Sequence, residues 1–174
     1  MADRNTFYCT PSDEDRFCVV IERCVQLDLD EPMDFSRFLE VAVGQLAPVT
    51  DLAPERLLEA FHTREAEGST VVKAGIAIPH VIVPGIHRAA MLLARSRTGV
   101  SFPGESEPIH AILMLVEGYD HRYFHLQALA ALSRSSHDPV FMERWLAADS
   151  VETLRRALLE THRSRCTLHR SACL

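Results

Sequence analysis

Apolar side chains recur at positions 35, 38, 39, 42 and 46 of the segment DEPMDFSRFLEVAVGQLA, a one-sided stripe at helical spacing. Asp34 is placed to cap this helix and Pro48 to stop it. A second helix is expected from Pro54, a good first-turn residue, with Leu57, Leu58 and Phe61 on its inner side. Upstream, FCVVIERCVQL (17–27) is β-branched enough for a strand and short enough to be a helix.

The pattern changes in the centre. GIAIPHVIV (75–83), AAMLLAR (89–95) and HAILMLVE (110–117) are continuous short apolar runs separated by Gly- and Pro-containing turns. Runs of this kind suit strands buried on both faces of a sheet. Helical spacing then returns. FHLQALAALSRSS (124–136) is apolar nearly all round, which predicts deep packing, and Asp138-Pro139 is expected to open a helix carrying Phe141 and Trp145. Ser150 is expected to cap a last helix with Val151, Leu154 and Leu158 turned inward. Helices, then strands, then helices predict a single-domain α/β sandwich: a mixed, mostly buried sheet of about five strands flanked by helices on both faces. Residues 1–23 read as an N-terminal extension, 24–160 as the domain and 161–174 as a tail without usable periodicity.

Composition agrees with a globular chain: of 174 residues, 47% are hydrophobic and 24% charged. No run approaches the ~20 apolar residues of a membrane span, and the polar, acidic residues 1–16 hold no apolar run of the kind a secretion signal needs. A cytoplasmic protein without membrane insertion is expected. The net charge of -6 argues against nucleic acid, although Arg155, Arg156, Arg163, Arg165 and Arg170 cluster late in the chain and read as a solvated tail. Five cysteines (Cys9, Cys18, Cys24, Cys166, Cys173), odd in number and irregular in spacing, read as reduced thiols.

Nine histidines require sorting. His62, His87, His110, His137, His162 and His169 have no partner pattern and read mostly as surface or loop residues. His121 and His125 stand at i, i+4, the spacing at which one helix face can hold a metal ion, but no third ligand accompanies them. His80 differs by its setting. It follows the apolar Gly75-Ile76-Ala77-Ile78 and the rigid Pro79, so it should sit at a strand end with little freedom. A histidine there, mostly neutral at neutral pH, has two readings: a nucleophile, or a strand-terminal ring bonded to backbone. Upstream, Thr63-Arg64-Glu65-Ala66-Glu67-Gly68-Ser69-Thr70 supplies a guanidinium, two hydroxyls and a glycine turn, the groups that an oxyanion requires.

Arg64-Glu65, Gly68-Ser69-Thr70 and Gly75-Ile76-Ala77-Ile78-Pro79-His80, in that order, resemble the signature of the enzyme IIA component of the bacterial phosphoenolpyruvate-dependent phosphotransferase system, mannitol/fructose/nitrogen-regulatory class. The resemblance continues through Gly99-Val100-Ser101-Phe102, the strand from Ile109 to Val116, His125-Leu126, and the helices around Phe141 and 150–159. It implies that His80 accepts a phosphoryl group from the phosphohistidine of HPr and passes it to enzyme IIB. His125 matches the second active-site histidine, a hydrogen-bond donor to the phosphate. Arg64 is then expected to balance phosphate charge, and Ser69 or Thr70 to add a hydroxyl. Neither a metal nor any other cofactor is implied. The alternative is a regulatory IIA-like binding module, similar to nitrogen-branch or transporter-associated members, whose phosphorylation state, or loss of it, controls a partner transporter or enzyme. Val81 departs from the family, in which a small residue commonly follows the Pro-His pair, and would add β-branched bulk beside the nucleophile. Val81, Ile82 and Val83 are expected to form a shallow apolar docking face.

Overall fold

A computed structural model describes residues 13–86, 88–119 and 122–159. Its elements in chain order are α1 (Asp13–Glu22), β1 (Val25–Leu29), β2 (Met33–Asp34), α2 (Phe35–Thr50), α3 (Pro54–Glu67), β3 (Val71–Lys73), β4 (Ile76–Ala77), β5 (His80–Ile82), β6 (Ala90–Ser101), β7 (Ile109–Glu117), α4 (Arg122–Ser136) and α5 (Phe141–Ala147). A final helix, α6, spans 151–159.

One mixed sheet organises them, in the order β1-β6-β7-β4-β3, with the short β2 added beside β6 and β5 beside β7. The backbone of the sheet therefore has the expected size, and two short strands raise the count to seven. β6 and β7 form its antiparallel centre, while β1 and β2 run parallel to β6 and β4 and β5 run parallel to β7. Alternate residues of the two central strands feed two separate cores. Leu92, Ala94, Ile112, Met114 and Val116 pack with Phe38, Leu39, Leu46, Leu57 and Phe61 of α2 and α3. Met91, Leu93, Leu113 and Leu115 pack with Phe17 and Ile21 of α1, Phe124 and Leu132 of α4, Trp145 of α5 and Leu154 of α6. Helices cover both faces, which is why the central strands read as unbroken apolar runs.

Asp34 caps α2, its carboxylate accepting the Arg37 N–H at 2.8 Å. Pro48 does not stop this helix, which continues to Thr50. The amide that proline lacks falls in the last turn, where the Thr50 hydroxyl donates to the carbonyls of Leu46 and Ala47 at 3.0 and 3.3 Å. Residues 17–22 are helix and the strand begins only at Val25. Phe17 and Ile21, one turn apart, are both buried against the sheet, and that packing outweighs the β-branched composition. Asp138 does not cap α5. Its carboxylate accepts the Val140 N–H at 3.0 Å in a turn, and the helix opens at Phe141.

Ser150 does accept the Thr153 N–H at 3.2 Å, and Leu154 and Leu158 are buried. Val151, by contrast, is exposed, and Leu126 breaks the expected all-round burial of α4 with 66% exposure. No described helix is long and apolar enough to cross a membrane. The tail from 161 onward, most of the N-terminal extension, and Cys9, Cys166, Cys173, His87, His162 and His169 lie outside the described residues. Arg155 is not a solvated tail residue: it donates to the Cys24 carbonyl at 3.2 Å and so ties α6 to the connection between α1 and β1.

Candidate active site

Pro79 divides the apolar run 75–83 into β4 and β5 because it has no N–H to give to a ladder. Both short strands still run parallel to β7, and the Leu115 N–H donates to the Pro79 carbonyl at 2.9 Å. His80 thus starts β5 in register with Leu115, half-buried, on the face of the sheet that carries α4. Its Nδ1 lies 2.7 Å from the Ile78 carbonyl oxygen, an acceptor only, so Nδ1 bears the hydrogen. In the neutral ring the lone pair is therefore on Nε2.

The alternation of β5 corrects two expectations. Val81, in register with Val116, points to the opposite face and is buried in the α2–α3 core, as is Val83. The β-branched bulk of Val81 fills the core instead of crowding the imidazole. The run 81–83 cannot form an apolar docking face when two of its three side chains are internal.

Arg64 reaches His80 from the last turn of α3. Its Nε and Nη2 both lie 3.3 Å from His80 Nε2, and its Nη1 donates to the Gly68 carbonyl at 2.8 Å. The helix-terminal carbonyl at Gly68 thereby aims the fork. On the other side, His125 projects from the first turn of α4, buried, with its ring centroid 5.5 Å from that of His80 and the planes at 56°. His125 Nδ1 lies 2.9 Å from Oε2 of Glu117, the fully buried last residue of β7. The His80 proton is held less tightly than in a free imidazole. Burial is the main cause, and the nearby Arg64 and His125 add to it, against the pull of the Ile78 carbonyl.

Arg64, His80 and His125 are brought together; Ser69 and Thr70 are engaged elsewhere. Thr70 donates its hydroxyl (2.5 Å) and its N–H (3.0 Å) to Glu65, and Ser69 donates to Glu105 at 2.8 Å while accepting the Val71 N–H at 3.1 Å. Glu117 was not identified from sequence. The available signal was a carboxylate closing an otherwise apolar strand eight residues before His125. Among the described residues no three His, Cys, Asp or Glu side chains are grouped to hold a metal ion, and His121 lies outside them. The other described histidines have local partners: His110 Nδ1 is 2.9 Å from the Ser96 carbonyl, His137 Nδ1 is 2.7 Å from that of Ser133, and His62 stands edge-on to Phe35.

Arg64, His80 and His125 thus gather beside the ends of β5 and β7 in a mixed sheet covered on both faces, and the fold that carries them has known relatives. Residues 22–161 match the family described as phosphoenolpyruvate-dependent sugar phosphotransferase system, EIIA 2. The chain belongs to that family, whose members are phosphotransfer components. It is 32% identical over 142 residues to the fructose-specific EIIA component of a phosphotransferase system from Haloferax volcanii, spanning 77% of this chain and 89% of the relative. The crystal structure of nitrogen regulatory protein IIA-Ntr from Neisseria meningitidis superposes with a TM-score of 0.72 at 27% identity, over 77% of this chain and 92% of that one. Enzyme IIA mannitol from Escherichia coli, solved in complex with phosphorylated enzyme IIB mannitol, shares the fold with a TM-score of 0.64 at 19% identity, over 78% and 94% of the two chains.

Proposed function

We propose that this domain is a phosphocarrier in which Nε2 of His80 takes a phosphoryl group from phosphohistidine on HPr and hands it to an enzyme IIB component. The observation that carries the reading is the double constraint on one ring: Nδ1–H is held by the Ile78 carbonyl, while Nε2 faces the Arg64 fork with His125 beside it. In the transfer, the N–P bond on the donor imidazole breaks as the bond to His80 Nε2 forms. The donor leaves as a neutral ring, and the hydrogen of His80 stays on Nδ1, still donated to the Ile78 carbonyl. The transition state is loose, so positioning and charge supply the catalysis and no cofactor is needed. Arg64 already has two donors at the acceptor atom and offers them to the equatorial oxygens. His125 donates to the phosphoryl group without bonding to it, and Ser69 and Thr70 serve by shaping the loop that holds Arg64. The place of work is the cytoplasm, with no part for nucleic acid.

Similarity to a nitrogen regulatory protein supports a second output for the same chemistry. The phosphoryl group adds about 1.5–2 negative charges beside His80, enough to change contact with a regulated transporter or enzyme.

Intact-mass analysis after incubation with phosphoenolpyruvate, enzyme I and HPr tests the reading. One acid-labile phosphoryl group is expected on the wild type and none on His80→Ala. A wild type that gains no mass, or a His80→Ala protein that still does, would overturn it.

A further inference from the structure

Glu117 is the buried acid that the transfer chemistry leaves without a task. It has no exposure to solvent, its Oε2 meets His125 Nδ1 at 2.9 Å, and its Oε1 has no hydrogen-bond partner among the described residues. A carboxyl group buried with a single partner is costly, and leucines fill the same face at positions 113 and 115. Packing alone gives no reason for an acid here.

We propose that Glu117 is a positioning residue: it fixes the His125 ring by Nδ1 and keeps a hydrogen on His125 Nε2, so that this edge donates to the phosphoryl group on His80. The inference rests on the phosphocarrier reading of His80.

The proton inventory of the pair supports it. With the carboxylate facing an imidazolium, the pair is neutral and Nε2 bears a hydrogen. With a protonated Glu117 donating to Nδ1, the pair is again neutral and Nε2 again bears a hydrogen. The third arrangement, a carboxylate beside a neutral ring protonated at Nδ1, leaves a lone pair on Nε2 and an uncompensated buried negative charge. An arriving phosphoryl anion disfavours that arrangement, because it would meet a lone pair on Nε2 and a second negative charge behind the ring. Either neutral arrangement makes His125 a donor, and the hydrogen is shared with the phosphoryl oxygen without leaving the ring.

The sheet places the pair beside the acceptor. Ile82 is in register with Glu117 and His80 with Leu115, so the side chains of His80 and Glu117 share a face two positions apart. The Val83 N–H donates to the Glu117 carbonyl at 2.7 Å and ties the ends of β5 and β7 together.

Long-range 1H–15N NMR of the full chain at about pH 7, the range in which an imidazole changes charge, tests the assignment. In the wild type, His125 Nε2 is expected to be protonated. In Glu117→Gln and Glu117→Leu, which remove the acid while filling its space, a population with an unprotonated Nε2 is expected. With phospho-HPr supplied, the maximal rate of acceptance on His80 is expected to fall by roughly 10²-fold, the size of losing one transition-state donor. The HPr concentration for half-maximal rate should not change. An unprotonated His125 Nε2 in the wild type overturns the inference, as does a Glu117→Gln protein with unchanged His125 spectrum and maximal rate. The ring spectra need no phosphoryl donor. A wild type that accepts no phosphoryl group therefore defeats the reading of His80, while the spectra still decide the role of Glu117. If neither variant folds, the wild-type spectrum decides it.

Discussion

Gly118 and Ile86 meet backbone to backbone: a β-carbon on Gly118 would fall inside the van der Waals envelope of the Ile86 carbonyl oxygen and only 3.0 Å from its carbon. The contact joins the segment leaving β5, which carries His80, to the segment leaving β7, which leads to His125. Only glycine permits this approach. Gly118→Ala is expected to destabilise the protein by about 1–3 kcal/mol, the usual cost of overpacking. It should also weaken phosphoryl acceptance in the fraction that folds, because relief of the clash separates the two histidine segments. Chemical denaturation and single-turnover labelling measure the two effects.

Burial of His80, with Arg64 and His125 nearby, lowers its pKa below the ordinary 6.5. Between that lowered value and 6.5 the unfolded chain binds more protons than the folded one. The linked stability is therefore fully present above 6.5 and is lost as pH falls from 6.5 through the folded value. Acceptance by His80 should accordingly persist to a lower pH than a free imidazole would allow. Arg64→Ala should raise the midpoint, though not fully to 6.5, since burial is the larger cause. Ring-proton NMR titration of both proteins checks the direction.

Val81→Ala separates core from site. Val81 packs among the residues beneath α2 and α3, so truncation should cost about 1–3 kcal/mol through lost burial and a small cavity. Phosphoryl acceptance per folded molecule should not change. A faster acceptance in this variant would show that the side chain does reach the imidazole.

The contrast between His80 and Val81 shows how far the sequence could be read. The order of elements and the two-faced burial of the central strands were legible from periodicity, and Arg64 with His80 from the chemistry of two neighbouring motifs; His125 joined them only through the resemblance to the enzyme IIA family. What was not legible depends on direction. Period two decides which face Val81 joins, but the phase of a three-residue strand after a proline is fixed only by its register with β7. Phe17 and Ile21 form a helix because a sheet face is there to receive them, a tertiary fact that no local propensity contains. The hydroxyls of Ser69 and Thr70 had the right chemistry for an anion, yet each found a carboxylate closer at hand.

Thr70 and Glu65 form one such clamp. Glu65 is buried, and its two oxygens take the Thr70 N–H and hydroxyl. Thr70→Val keeps the shape and removes the hydroxyl, leaving one carboxylate oxygen without its donor. The expected loss is about 1–3 kcal/mol. Because Arg64 is aimed by the Gly68 carbonyl of the same loop, onward transfer should slow as well. Thermal unfolding and a labelling time course, compared at equal folded fraction, separate the two losses.

Arg64→Lys tests whether geometry or charge governs the site. The guanidinium makes three directed contacts: Nε and Nη2 toward His80 Nε2, and Nη1 to Gly68. A lysine ammonium keeps the positive charge but is a single point on a flexible stem, unable to hold the loop carbonyl and present a planar fork together. If charge alone mattered, Arg64→Lys would label as the wild type does and Arg64→Ala would fail. The geometry predicts otherwise: Arg64→Lys should lose roughly 10²-fold in transfer rate, as when one preorganised donor is removed, and stand closer to Arg64→Ala than to wild type. Rapid-quench labelling from phospho-HPr on the three proteins orders them. Near-wild-type transfer by the lysine variant would mean that the fork seen around Nε2 is not what stabilises the moving phosphoryl group.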